Sequence, residues 1–168
     1  MIAIHLAEGF EEIEALTVAD VLRRAGKDAQ LVSVSGNLMV TGAHGITVKA
    51  DCLFEDADYA ACEMLVLPGG MPGTLNLAKH KGLAEQVRIF AESGDKGKYL
   101  AAICAAPMIP GELGLLKGKM ATIYPGMEEH LKEALLMNYL TYLPVFDKLT
   151  KSQQDALTNS SFVRKFGK

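Results

Sequence analysis

The chain has 168 residues, 49% hydrophobic and 22% charged, and its 17 lysines and arginines against 20 aspartates and glutamates give a formal net charge of −3. These values are typical of one globular domain and exclude a disordered or fibrous chain, and a net negative charge argues against a nucleic-acid partner. No apolar run approaches the ~18 residues of a membrane span, and no lysine or arginine precedes the first apolar stretch. A cytoplasmic protein without a membrane partner is predicted.

The first part of the chain alternates apolar runs with one amphipathic segment. Residues 1–7 are almost continuously apolar and precede a glycine turn, which is typical of a strand buried on both faces of a parallel sheet. Apolar residues then recur at helical spacing until Gly26. The predicted elements are a strand over 1–7, a helix over 11–25, a strand over 28–35, and a hairpin of 38–40 with 46–49 at a sheet edge.

The second part repeats this alternation up to residue 122. Pro107 is compatible with a first helical turn, because its missing N–H is not needed there. Strands that alternate with helices indicate an α/β fold with a doubly wound sheet. The predicted elements are strands over 63–67, 99–103 and 119–122, and helices over 83–93 and 105–113.

Cys104 is the candidate nucleophile, in one of three loops that follow predicted strands. Open α/β sheets bind ligands beyond the carboxyl ends of their strands, so loops 8–14, 68–73 and 104–107 are expected to converge. Small residues stand two positions either side of Cys104, as in a nucleophile elbow, and the following helix start is expected to lower the thiol pKa. A buried, inert thiol is the alternative, which we prefer for Cys52 and Cys62.

Backbone amides and carboxylates complete the candidate site. The amides of Gly70 and Ala105 are expected to form an oxyanion pocket, although a glycine-proline turn without function also explains the loop. Glu11, Glu12 and Glu14 crowd a helix start, where the dipole favours carboxylates, and at least two of them are expected to be solvated. The remaining one would face the thiol and donate a proton, but the residues alone do not choose which.

Neither a metal nor a cofactor is predicted. The loop over 68–73 has neither the G-x-G-x-x-G spacing of a dinucleotide site nor the lysine of a P-loop, and the three cysteines include no C-x-x-C pair. The four histidines are not spaced for metal binding and are expected to be structural or exposed. His44, between two glycines of the hairpin, is the histidine that we retain as a site-lining candidate.

Four motifs stand in a fixed order along the chain: Gly9-Phe10-Glu11-Glu12-Ile13-Glu14-Ala15, Leu65-Val66-Leu67-Pro68-Gly69-Gly70, Ala101-Ala102-Ile103-Cys104-Ala105-Ala106-Pro107 and Ala121-Thr122-Ile123-Tyr124-Pro125-Gly126. In order and spacing they resemble the ThiJ/PfpI superfamily, most closely the subgroup of the Parkinsonism-associated protein deglycase. The resemblance implies a flavodoxin-like fold, a homodimer, Cys104 as the reactive thiol and Glu14 as its protonated hydrogen-bond partner. Gly70 and Ala105 match the family's backbone-amide positions around the cysteine.

Three departures from the family pattern bear on function. Ala105 stands where the peptidase branch has a histidine, so no adjacent base supports proteolysis. Tyr124 stands where some glyoxalase-like members have a histidine, which makes it a second site-lining candidate. The resemblance covers 1–133, and 134–168 form a divergent tail packed on or extending from the same domain. Either the tail has diverged or the reading frame changed near Ala134, and its Leu135, Leu140, Leu143 and Phe146 would cover apolar sheet surface.

Two functions from different classes fit these residues. The first is a cofactor-free, cysteine-dependent enzyme that acts on a small carbonyl substrate such as methylglyoxal, in the manner of a glyoxalase or deglycase. The second is a non-enzymatic redox sensor or chaperone-like protein of oxidative stress that uses oxidation of Cys104. An altered tail that leaves the chain folded but inactive is a third possibility.

Overall fold

Short runs of buried apolar residues pair as strands in the computed structural model, which describes residues 1–93 and 97–136. The strands are β1 (Ile2–Leu6), β2 (Ala29–Ser33), β3 (Met39–Thr41), β4 (Thr47–Lys49), β5 (Cys52–Leu53), β6 (Met64–Leu67), β7 (Tyr99–Ala102), β8 (Met120–Ala121) and β9 (Leu135–Leu136). The helices are α1 (Glu12–Arg24), α2 (Gly73–Lys79), α3 (Lys81–Glu92) and α4 (Met108–Glu112), with 3-10 turns at Phe54–Asp56 and Glu128–Leu131.

The central sheet is parallel, with β1 in the middle of the order β5-β2-β1-β6-β7. Ile4 of β1 is aligned with Leu31 of β2 on one side and with Val66 of β6 on the other. Apart from Ile2, every residue of β1 is buried, because helices cover both faces of the sheet. The predicted doubly wound, flavodoxin-like sheet is confirmed.

Two apolar cores flank the sheet. Successive residues of β1 contribute to different cores, because their side chains point to opposite faces of the sheet. Ala3 packs with the buried leucines, Val87 and Phe90 of α2 and α3 and with Met108 and Ile109 of α4. Ile4 packs with Ala15 and Ala19 of α1 and with Val40 of the hairpin. Helix α1 therefore lies on one face, and the other three helices lie on the opposite face.

Several predicted elements need correction. Strands β3 and β4 form a separate two-stranded antiparallel sheet rather than an edge of the central one. Helix α4 begins at Met108, since residues 104–107 form a turn. Helix α2 was not predicted, because its Gly73, Thr74 and Asn76 have low helix propensity.

The predicted strand over 119–122 is shorter and pairs outside the central sheet. It is observed as β8, which pairs in parallel with β9. The tail residues Leu140, Leu143 and Phe146, with most of 134–168, lie outside the described residues. None of the helices in the two described ranges is long and apolar enough to cross a membrane.

Candidate active site

The loops after β1, β6 and β7 meet at the carboxyl edge of the sheet, as expected from their positions. The amide of Glu11 donates to the carbonyl of Gly69 at 2.9 Å, and the amide of Gly69 donates to Glu14 Oε2 at 2.7 Å. The loop after β6 is thereby joined to the first turn of α1. Cys104 follows β7 beside them, since an added Cβ on Gly69 would lie 2.8 Å from Cys104 Cβ.

Cys104 sits in a strained strand-to-helix turn. Its φ of 60° is in the left-handed region, which residues with a Cβ adopt only at an energetic cost. The next two residues, Ala105 and Ala106, are buried, so larger side chains would not fit there. The thiol itself is half-buried. This backbone geometry is that of a nucleophile elbow.

The Glu14 carboxyl and the backbone amides of Gly70 and Ala105 lie close to Cys104, and each shifts the pKa of its thiol. A Cβ added to Gly69 would lie 2.8 Å from both Cys104 Cβ and Glu14 Oε2, and 3.2 Å from the backbone nitrogen of Ala105. The structure therefore brings together the thiol, one carboxyl and two N–H donors. These are the groups that carbonyl addition requires, namely a nucleophile, a proton carrier and a pocket for a developing oxyanion.

The pKa of the Cys104 thiol is raised above its ordinary value, so the lowered pKa predicted from the sequence is wrong. Burial raises it most, the negative charge and hydrogen bond of Glu14 raise it further, and the amides of Ala105 and Gly70 lower it. The prediction relied on a helix dipole directly after the cysteine, but α4 begins only at Met108. A proton on Glu14 would reverse the effect of that residue, because its O–H would donate to the thiolate.

The three glutamates of the helix start differ in environment. Glu12 is only 5% exposed, and Glu11 and Glu14 are half-buried, so the expectation that at least two are solvated is wrong. The reason is the hairpin, whose tip covers Glu12 and donates the amides of His44 and Ile46 to Glu12 Oε1 at 2.8 and 3.3 Å. No signal in the sequence indicates that the hairpin buries Glu12.

The four histidines are all engaged away from Cys104. His5 is fully buried, and burial lowers its pKa to about 4; its Nε2 lies 2.9 Å from the Tyr59 hydroxyl. His80 accepts from an amide of its own helix, and His130 pairs with Glu112. His44 pairs with Glu12 on the hairpin side of α1 and does not line the cysteine pocket through any hydrogen bond in the described ranges.

A cation site is disfavoured in the described part of the chain. The ligand atoms of Glu11, Glu12 and His44 lie within 4.8 Å of one another. Two backbone amides already occupy one oxygen of Glu12, and the His44 ring occupies the other at 2.8 Å. We therefore interpret this group as a hydrogen-bonded cluster.

Tyr124 lies at the rim of the pocket. Its amide donates to the carbonyl of Cys104 at 2.8 Å, so the backbone after β8 is fixed against the cysteine turn. The residue is 56% exposed, which leaves the phenol accessible to solvent.

The parallel sheet, the strained cysteine turn and the carboxyl beside it define a class of α/β proteins with a cysteine at a strand-to-helix turn. The DJ-1/PfpI family model matches residues 1–164. The chain belongs to this family, which confirms the predicted resemblance.

Similar proteins come from plants, archaea, bacteria and animals. "Protein DJ-1 homolog B" of Arabidopsis thaliana is 40% identical over 131 residues, which are 77% of this chain but only 29% of the plant protein. A deglycase of Pyrococcus abyssi is 31% identical over 79% of this chain and 77% of its own. Among solved structures, Drosophila melanogaster DJ-1beta has a TM-score of 0.74 at 29% identity, covering 81% of this chain and 72% of its own. The chain thus spans less than a third of the plant relative.

Proposed function

We propose that this protein is a cofactor-free, cysteine-dependent enzyme of the glyoxalase or deglycase type that acts on small reactive aldehydes such as methylglyoxal. The observation that carries the proposal is the convergence of Cys104, the Glu14 carboxyl and the amide of Ala105 around Gly69, directly before the amide of Gly70. The archaeal relatives named as deglycases support the same assignment.

The first step is addition of the thiolate to the aldehyde. The Cys104 sulfur forms a bond to the aldehyde carbon, the carbonyl electron pair moves onto oxygen, and the amides of Gly70 and Ala105 stabilise the alkoxide. A proton from the carboxyl of Glu14 converts this alkoxide into a hemithioacetal. Since Oε2 accepts from Gly69, the proton belongs on Oε1.

Rearrangement and hydrolysis complete the cycle. The Glu14 carboxylate removes the proton from the former aldehyde carbon and returns it to the neighbouring carbon, while the hydroxyl proton moves from the former aldehyde oxygen to the former ketone oxygen. These two transfers convert the hemithioacetal into a thioester of lactate. Water then cleaves the thioester and regenerates the thiol. The net reaction is methylglyoxal plus water to lactate, so no electron leaves or enters the protein and no redox cofactor is needed.

Turnover of methylglyoxal tests this function. Wild type is expected to form lactate, and Cys104→Ala is expected to lose at least about a thousandfold in rate because the nucleophile is gone. Cys52→Ala is the matched control, since Cys52 lies on the edge strand β5 and is expected to leave the rate unchanged. Equal lactate formation by wild type and Cys104→Ala would end the proposal.

A redox sensor is the second candidate, favoured by the same donors. Peroxide would take the Cys104 thiolate through sulfenate to sulfinate, with each peroxide transferring one oxygen and leaving as water. The amides of Gly70 and Ala105 and a protonated Glu14 would then hydrogen-bond the sulfinate oxygens. A sensor requires selective oxidation of Cys104 without lactate formation, which distinguishes it from the enzyme.

We also propose a homodimer in the cytoplasm. Ile13 and Val21 lie on one side of α1 at 69% and 58% exposure, and Met39 and Ile46 of the hairpin region are each 53% exposed. Such apolar surface favours a protein partner. All three cysteines are free, as suits a reducing compartment. A native mass of two chains is the result expected from light scattering.

A further inference from the structure

A buried carboxylate joins the hairpin to the helix that carries Glu14. Glu12 accepts the amides of His44 and Ile46 on Oε1, and its Oε2 lies 2.8 Å from His44 Nδ1. Gly42 packs so closely on the Glu12 side chain that an added Cβ would overlap it. No part of the proposed reaction uses this pair.

The hairpin is held along the whole loop that leads into α1. The amide of Gly9 donates to Thr41 at 2.8 Å, and the amide of Ala43 donates to Phe10 at 2.8 Å. With the Glu12 contacts, these bonds fix the direction in which α1 begins. Because Glu12 and Glu14 both belong to the first turn of α1, the direction in which the helix begins also affects where the Glu14 side chain lies.

The opposite side of this first turn faces the cysteine pocket. The amide of Glu11 donates to the carbonyl of Gly69, and Glu14 accepts the amide of Gly69 in return. Two residues of one helical turn therefore bind two different loops. Glu12 accepts amides of the hairpin, and Glu14 accepts an amide of the loop after β6.

We propose that Glu12, held by the hairpin tip at His44, is a positioning residue that keeps Glu14 against the Cys104 thiol. The inference rests on the proposed function, because it assigns a support to the proton carrier named there. It predicts that the hairpin, although outside the pocket, governs the reactivity of Cys104.

The charges of the cluster suit this role. Burial of Glu12 would raise its pKa, but hydrogen bonds from the His44 side chain and from backbone amides outweigh burial and lower it to about 2. The pKa of His44 is raised by its hydrogen bond to Glu12 and by the charges of Glu11 and Glu12, the carboxylates that face it from the start of α1. The pair is therefore charge-assisted below the raised pKa of His44 and weakens as the pH rises through it.

The rate of Cys104 alkylation by iodoacetamide, measured against pH, tests this inference. Glu12→Gln keeps the size of the side chain and removes its charge, while His44→Asn removes the imidazole and leaves the backbone amides in place. Both variants are expected to raise the apparent pKa of Cys104, as Glu14→Leu is. A rise of one unit corresponds to about a tenfold slower reaction at neutral pH. His130→Asn is the matched control, because His130 pairs with Glu112 at the same 2.8 Å elsewhere on the surface.

A double variant separates positioning from general destabilisation. Once leucine replaces Glu14, no proton carrier is left to position, so Glu12→Gln with Glu14→Leu is expected to match Glu14→Leu alone. Additive shifts of the Cys104 pKa in the double variant would overturn the inference. A pKa shift with Glu14→Leu but none with Glu12→Gln and His44→Asn would overturn it too, and either result would leave the proposed function intact. No shift with Glu14→Leu would overturn the proposed role of Glu14 and this inference with it.

Discussion

Replacing Glu14 by leucine is expected to raise the apparent pKa of Cys104 and to abolish turnover. In the proposed state Glu14 carries a proton and donates to the thiolate, and leucine removes that donor while keeping the site apolar. Loss of the proton carrier is expected to lower the rate of lactate formation by about 10²- to 10⁴-fold. Alkylation of Cys104 against pH gives the pKa, and lactate formation gives the rate.

Glu14→Gln is the control that separates the two effects. An amide still donates a hydrogen bond but does not transfer a proton, so the apparent pKa of Cys104 is expected to stay near that of wild type while turnover is lost. An unchanged pKa in Glu14→Leu would show that Glu14 is not the partner of the thiol. A lowered pKa would show that Glu14 is ionised in the resting site, where its charge raises the thiol pKa.

Gly70→Ala is expected to damage both the fold and the site. Gly70 has a φ of 91°, and a Cβ there would overlap the backbone of Phe10 and Glu11. The left-handed conformation alone costs about 1–2 kcal/mol for a residue with a Cβ, and the overlap adds to this cost. A shift of the loop would also move the Gly70 amide, which lowers the pKa of the Cys104 thiol. A lower denaturation midpoint and slower alkylation of Cys104 are therefore expected together.

Gly36→Ala provides the comparison for this loss. Gly36 has a φ of 77° but nothing lies within 4 Å of an added Cβ, so it shares the conformational cost without the overlap. Urea denaturation of both variants measures the difference in the free energy of unfolding. Equal losses in the two variants would contradict the close packing of Gly70 on the loop after β1.

Much of the fold follows from local patterns. The apolar run of β1 and the helical spacing of α1 were sufficient to predict these two elements, because each pattern reflects burial within one short stretch of chain. Helix α2 was not predictable in this way, because it begins at a glycine. Gly73 is needed there for packing, since an added Cβ would overlap the backbone of Gly9 and Phe10. Its position depends on that tertiary packing rather than on propensity.

The turn at Cys104 was predictable from the sequence, but the electrostatics of the candidate site were not. The small residues around Cys104 and the paired glycines of the preceding loop indicate a tight turn and exposed amides directly. Glu11, Glu12 and Glu14 look alike in the sequence, and the choice of Glu14 came only from the family resemblance. The burial of Glu12 depends on the hairpin tip, which is distant in sequence, so no local pattern predicts that burial.

Limited oxidation followed by peptide mass analysis tests most directly whether Cys104 is the reactive centre. Burial raises the pKa of all three thiols, so any selectivity must come from the contacts around one sulfur. With less than one equivalent of peroxide, Cys104 is expected to oxidise first, because it lies in a strained turn beside the Glu14 carboxyl and the amide of Ala105, which neither Cys52 nor Cys62 does. Preferential oxidation of Cys52 or Cys62 in the folded protein would contradict the account.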